Sequence, residues 1–134
     1  MSNIDDTFNN LSRREPAKNG SIYGFEVAFG KTLPSDYVDF LKNTNGADGI
    51  VGDHYVILWG VDELILLNQS YQVDRYAKDL LIIGSDGGGE AFGFDTRDLR
   101  WSVVEIPFVG MRWSDAHEIG NTFSDFIERL TRRN

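Results

Sequence analysis

The residues able to do chemistry crowd into one stretch, 80–95, which reads LLIIGSDGGGEAFGFD. Ser85, Asp86, Glu90 and Asp95 stand around Gly87, Gly88 and Gly89, between an apolar run and a run of alternating aromatics. Glycoside hydrolysis needs two carboxyls flanking the scissile bond, and this stretch offers candidates. In a strand over 91–95, however, Glu90 points to one face with Phe92 and Phe94, and Asp95 to the other with Ala91 and Gly93. The pair converges poorly, so an acid/base hydrolase using Asp86 and Glu90 is the least favoured reading. The glycines invite a phosphate-binding reading too. A phosphate loop needs a lysine and a hydroxyl after its glycines, then a helix facing the anion. Here Glu90 follows, then a strand-like alternation. The stretch reads as strand, turn, strand, with a turn that only glycine permits and with Ser85 and Asp86 bonding its backbone.

Other chemistries fare no better. A hard-cation site from Asp86, Glu90 and Asp95 lacks the regular calcium-loop spacing and falls short of about six oxygens. The histidines, His54 and His117, lie far apart, and there is no cysteine, which argues against zinc and rules out disulfides. Nothing places either histidine beside Ser85 as the base of a serine nucleophile. No catalytic residue, metal or cofactor is expected.

The elements that must position these residues follow from periodicity. Ile4, Phe8 and Leu11 fall on one helical stripe over 4–15, stopped by Pro16 and Gly20. Ser21 can cap a short apolar helix over 21–29 that ends at Gly30. Pro34 suits a first helical turn, Asp36 adds favourable charge there, and Tyr37, Phe40, Leu41 and Thr44 form its inward face. Asn45 and Gly46 tolerate left-handed backbone and end that helix. Residues 55–59 read as a strand, 61–68 as a helix, and 80–84, 91–95 and 101–107 as strands, with Pro107 at an edge or exit. Phe123, Phe126, Ile127 and Leu130 make the last helical stripe, with Thr122 as its cap and Arg129, Arg132 and Arg133 suited to its carboxyl end. Helices at both ends around a run of strands spell an α+β single domain over 1–134, an antiparallel-rich sheet flanked by amino-terminal and carboxyl-terminal helices.

The chain has 134 residues, enough to bury a sizeable core, and 13 basic against 21 acidic side chains, net −8. Such a surface repels nucleic-acid phosphates and anionic lipid and draws basic partners. No apolar run approaches the roughly 18 residues of a membrane span, and the polar, acidic amino terminus is unlike a signal peptide. The expected setting is soluble and cytoplasmic, with neither a nucleic acid nor a membrane as partner.

The 80–95 stretch also resembles the central motif of the SUKH superfamily. That is the family of the fungal Smi/Knr cell-wall assembly regulator and of many bacterial toxin-immunity proteins. Two further segments fit in the same order: Leu33-Pro34-Ser35-Asp36-Tyr37 through Phe40 and Leu41 to Asn45-Gly46, then Ile57-Leu58-Trp59-Gly60 followed by Asn68 and Tyr71. Together they span 25–130. The resemblance implies a non-catalytic immunity protein that binds a cognate bacterial toxin domain, often a nuclease and here expected to be basic, and occludes its active site. The alternative it implies is a regulatory protein-interaction scaffold, a role usually found in longer chains.

Candidate partner-binding residues are Asp48, Asp53, Asp86, Glu90 and Trp113. Asp48 and Asp53 lie in a glycine-rich stretch, 45–54, read as an outward-reaching loop. Among the aromatics that could anchor a partner, Trp113, in its polar surroundings, is expected to be the most exposed. The sequence leaves the toxin, the binding face and the oligomeric state open.

Overall fold

Six consecutive residues from Leu80 to Ser85 are buried, which is why this strand reads as a continuous apolar run and not as an alternation. It is the middle of the sheet. The computed structural model of the chain describes residues 11–132. Within them, seven strands form one sheet in chain order: β1 (Ser12–Arg13), β2 (Ala47–Val51), β3 (His54–Leu58), β4 (Leu80–Ser85), β5 (Glu90–Asp95), β6 (Val103–Pro107) and β7 (His117–Gly120). Every neighbouring pair is antiparallel. The helices are α1 (Ser21–Phe29), α2 (Ser35–Asn43), α3 (Val61–Ser70), α4 (Val73–Tyr76) and α5 (Phe123–Arg132), with a short 3-10 turn at Trp113–Asp115. The architecture is the expected α+β one.

One face of the sheet, the inner face, packs on α2 and α5. Tyr37 of α2 meets Phe94 of β5 at 5.2 Å between ring centroids, and Phe126 of α5 meets Phe92 at 5.1 Å. Tyr37, Phe40 and Leu41 are buried with Phe123, Phe126, Ile127 and Leu130, as the two helical stripes require. Thr122 caps α5 through the amide of Asp125, and the Asp125 carboxylate returns the bond to Asn121. Arg129 pairs with the same carboxylate one turn on, and these partners outweigh burial to hold Asp125 below the usual carboxylate range.

Several expectations need correction. Residues 4–10 of the helix proposed over 4–15 lie outside the described residues, and Ser12–Arg13 form a strand on Asp48 and Ala47. Leu11 is buried beside Gly49, and the Arg14 amide donates to Thr44 Oγ1, so tertiary contacts hold this segment extended. The stretch 45–54 is a hairpin, β2 and β3, and not a loop. Its turn is Gly52-Asp53, with Gly52 at φ +61°, and the strands pair over five registered positions. Finally, the strand expected from Trp101 begins at Val103, because Trp101 turns through φ +53° to pack on Phe94 and Phe29.

The family-like Asn45-Gly46 pair also works differently from the expectation. Helix α2 already ends at Asn43. Asn45 reaches across to the start of α3, accepting from the Val61 amide at 2.7 Å and donating to Asp62 at 2.7 Å. Only Gly46 has positive φ, and a Cβ there would sit 2.6 Å from the Leu58 carbonyl oxygen.

Candidate functional site

The β4–β5 turn is built by its own polar side chains. Ser85 Oγ accepts from the Gly87 amide at 3.1 Å. Asp86 Oδ1 accepts from Gly88 at 2.8 Å and from Glu90 at 3.2 Å, while the Asp86 amide donates to the Glu90 carbonyl. These are the turn-bonding roles expected of Ser85 and Asp86. They leave Ser85 without a histidine partner among the described residues.

The cross-strand register then sorts the carboxylates onto faces, since directly opposed residues share one. Asp48 opposes Ile57, Ile57 opposes Ser85, and Ser85 opposes Ala91, so this row lies on the outer face. Ile50 and Tyr55, also opposed, share that face. Burial agrees: Ala47, Val51, Val56 and Leu58 point inward and are buried, whereas Ile50 and Tyr55 are 56% and 43% exposed. The edge of the Tyr55 ring rests on the Gly87 backbone, where a Cβ would lie 2.7 Å away. The Tyr55 hydroxyl stands 3.5 Å from Asp48. Asp48, Tyr55 and Gly87 therefore form one continuous surface, with Asp53 at the hairpin tip, whereas Asp86, next after Ser85, stands opposite Glu90.

Glu90 does not belong to that surface. It shares the inner face with Phe92, whose cross-strand neighbour Glu105 opposes His117 in turn. Burial pushes the Glu90 carboxyl up, and the negative charges of Glu105 and Asp86 push it further against the opposing pull of His117. Asp95, at the far end of β5, is held by Arg97 through three hydrogen bonds of 2.9–3.0 Å, from its amide, Nε and Nη2. Burial alone would raise its carboxyl, but these bonds and the arginine charge bring it below the usual range. Two acids on opposite faces and at opposite ends of a strand do not make the paired-carboxyl geometry of a glycosidase. No group of three metal-ligating side chains occurs among the described residues.

Trp113 is also elsewhere, and it is not the most exposed aromatic. Its indole N–H donates to the Lys78 carbonyl at 2.9 Å, and the Arg97 guanidinium covers its ring at 3.7 Å. Half-buried, it ties the 113–115 turn to the chain entering β4. Tyr23 on α1, 71% exposed, is far more open. Of the five candidates, Asp48 lies on that surface and Asp53 at its hairpin tip, Asp86 and Glu90 stand together at the β4–β5 turn, and Trp113 lies elsewhere.

The sequence reading missed Ile50 and Ile57, the apolar residues of that surface. A signal was present: Gly-Asp between two short runs is a hairpin turn, and the alternation over 47–51 and 54–58 puts Ile50, Tyr55 and Ile57 on one side. Gly49 and Asp48 within β2, with Gly46 and Gly52 flanking it, hid it, because both residue types are poor strand formers.

Elsewhere, a groove of about 690 Å³ runs between α1 and α3, with Phe29 and Ile65 among its apolar walls and Lys31, Arg75 and Asp79 among its charges. None of the five candidates lines it. No helix among the described residues is long and apolar enough to cross a membrane.

With this geometry in view, the comparisons give one family. The family model for the SMI1 / KNR4 family (SUKH-1) matches residues 16–129, most of the chain. The match takes in the α2 segment, the β2–β3 hairpin, α3, the glycine-rich turn and α5 as far as Arg129. No curated protein matches the chain.

Proposed function

The chain belongs to the SMI1 / KNR4 family (SUKH-1), and from that premise we propose that it is a non-catalytic immunity protein that binds and neutralises a cognate toxin domain. The family suggests an immunity or related function. The observation carrying the finer reading is a turn whose polar side chains are already engaged: Ser85 Oγ and Asp86 Oδ1 accept from the turn's own amides. What remains is a rigid, acidic, aromatic-bearing surface suited to covering another protein. Net charge −8 favours a basic target, such as a nuclease with a nucleic-acid groove, and speeds encounter with it. Neutralisation would be occlusion of the toxin's active site or groove in the cytoplasm, with no chemical step by this chain.

The test is growth rescue. The chain is co-expressed with the carboxyl-terminal domain of a large secreted protein encoded beside it. Rescue with a stable complex supports the reading. Failure to rescue, with capture of several signalling proteins from the host instead, would favour the regulatory scaffold.

A further inference from the structure

The outer face of the sheet is unevenly covered. Over β4 to β6 its residues Ala91, Val104 and Ile106 are buried, and beside them Trp59 stacks on Tyr71 at 6.2 Å, Tyr71 meets Phe108 at a tilt at 4.6 Å, and the Phe108 amide donates to the Gly89 carbonyl. Over β2 and β3 that cover stops. Ile50 and Tyr55 stand open there beside half-buried Ile57, and the Gly87-Gly88-Gly89 turn brings no side chain over them. Asp48 rims this patch and Asp53 stands at its tip. Among the described residues neither takes part in an ion pair.

We propose that this open hairpin face, with Ile50, Tyr55 and Ile57 as its apolar centre and Asp48 and Asp53 as its acidic margin, is the docking surface for a basic protein partner. The partner's identity as a toxin rests on the immunity reading above; the location of the surface does not. An apolar centre with an exposed tyrosine and a charged rim is the composition of a protein–protein interface. The centre sits on two strands paired over five positions, so little order has to be gained on binding. Charge selects the occupant. A nucleic acid would be repelled by the carboxylates. A second copy would set the same unpaired carboxylates against each other across a two-fold axis. A lysine- or arginine-rich surface with an apolar spot satisfies both parts.

Two measurements test it. The first compares Ile50→Ser and Tyr55→Ala with Tyr23→Ala and Val27→Ser, which alter the other exposed apolar residues on α1. Affinity is measured for the toxin domain encoded beside the chain. The hairpin variants are expected to lose about tenfold or more each, and the α1 variants to bind as wild type. The reverse pattern overturns the proposal. The second is an amide NMR titration of the wild-type chain with a synthetic lysine–leucine peptide, which needs no toxin. Shifts gathered in 48–57 and 86–89 are expected; shifts centred elsewhere, or none, overturn it. If the toxin domain fails to bind while the peptide maps to the hairpin, the immunity reading falls and the docking face stands. Self-association that Ile50→Ser abolishes would assign the face to a second copy and overturn the basic-partner proposal.

Discussion

Asn68 on α3 and Ile82 in β4 exchange two hydrogen bonds through one side chain. Asn68 Oδ1 accepts from the Ile82 amide at 2.8 Å, and its Nδ2 donates to the Ile82 carbonyl at 2.9 Å and to Leu64 at 2.8 Å. Strand β3 pairs with β4 only at Ile57–Ser85 and Leu58–Gly84, so the ladder stops short of Ile82. The carboxamide takes the place of the missing strand, offering the same donor and acceptor that a backbone would.

Removing that surrogate leaves Ile82 with an unpaired N–H and C=O in a buried strand. Asn68→Ala is therefore expected to cost about 2–3 kcal/mol in urea unfolding. Asn68→Asp should cost a comparable amount, since a carboxylate cannot donate to the Ile82 carbonyl. Stability of Asn68→Ala within 0.5 kcal/mol of wild type, on the order of a neutral surface change, would refute the role.

The glycines of the 80–95 stretch are not equivalent. A Cβ on Gly84 would overlap the carbonyl oxygen of Ile57 across the β3–β4 pair, whereas a Cβ on Gly89 meets nothing. Gly84→Ala is expected to destabilise by about 2 kcal/mol or more, and Gly89→Ala by less than about 0.5 kcal/mol. Equal melting temperatures for the two variants would contradict this.

Glu90 supplies a pH signature. Its carboxyl is raised in the folded state by burial, then by Glu105 and Asp86, so folding favours the protonated form. That stabilisation is fully present below the unfolded value of about 4.3 and is lost as pH rises through the folded one. At neutral pH the charged Glu90 therefore works against the fold. Glu90→Gln is expected to raise the melting temperature at pH 7, with the gain disappearing in acid below pH 4. The same variant should retain full immunity; loss of rescue with a stable fold would reopen the hydrolase reading.

Much of the fold was legible wherever one periodicity dominated. The stripes Tyr37–Phe40–Leu41 and Phe123–Phe126–Ile127–Leu130 are the inner-face helices, and the run into Gly84 is the central strand. The helix over 21–29 was also readable, ending at Gly30 in the left-handed region. What stayed hidden depended on tertiary partners. Ser12 and Arg13 are a strand only because β2 lies beside them, and His117–Gly120 only because β6 does. The candidate site was partly legible: residue type marked the acids, of which Asp53 is exposed and Asp48 and Asp86 half-buried. Which acids share a face depends on register, and that separates Asp86 and Glu90 from Asp48. Trp113 misled because polar neighbours in sequence say nothing of Arg97 and Lys78, which cover it in space.

Neutralisation of a basic toxin by direct contact through an acidic face, as proposed above, requires a salt-sensitive complex. Titration calorimetry of the chain with the neighbour-encoded toxin domain, repeated across ionic strength, tests it most directly. The account predicts a stoichiometric complex whose affinity falls as salt rises, and a weaker, flatter salt dependence for the Asp48→Lys, Asp53→Lys double variant. No complex, or an affinity indifferent both to salt and to those reversals, would contradict it.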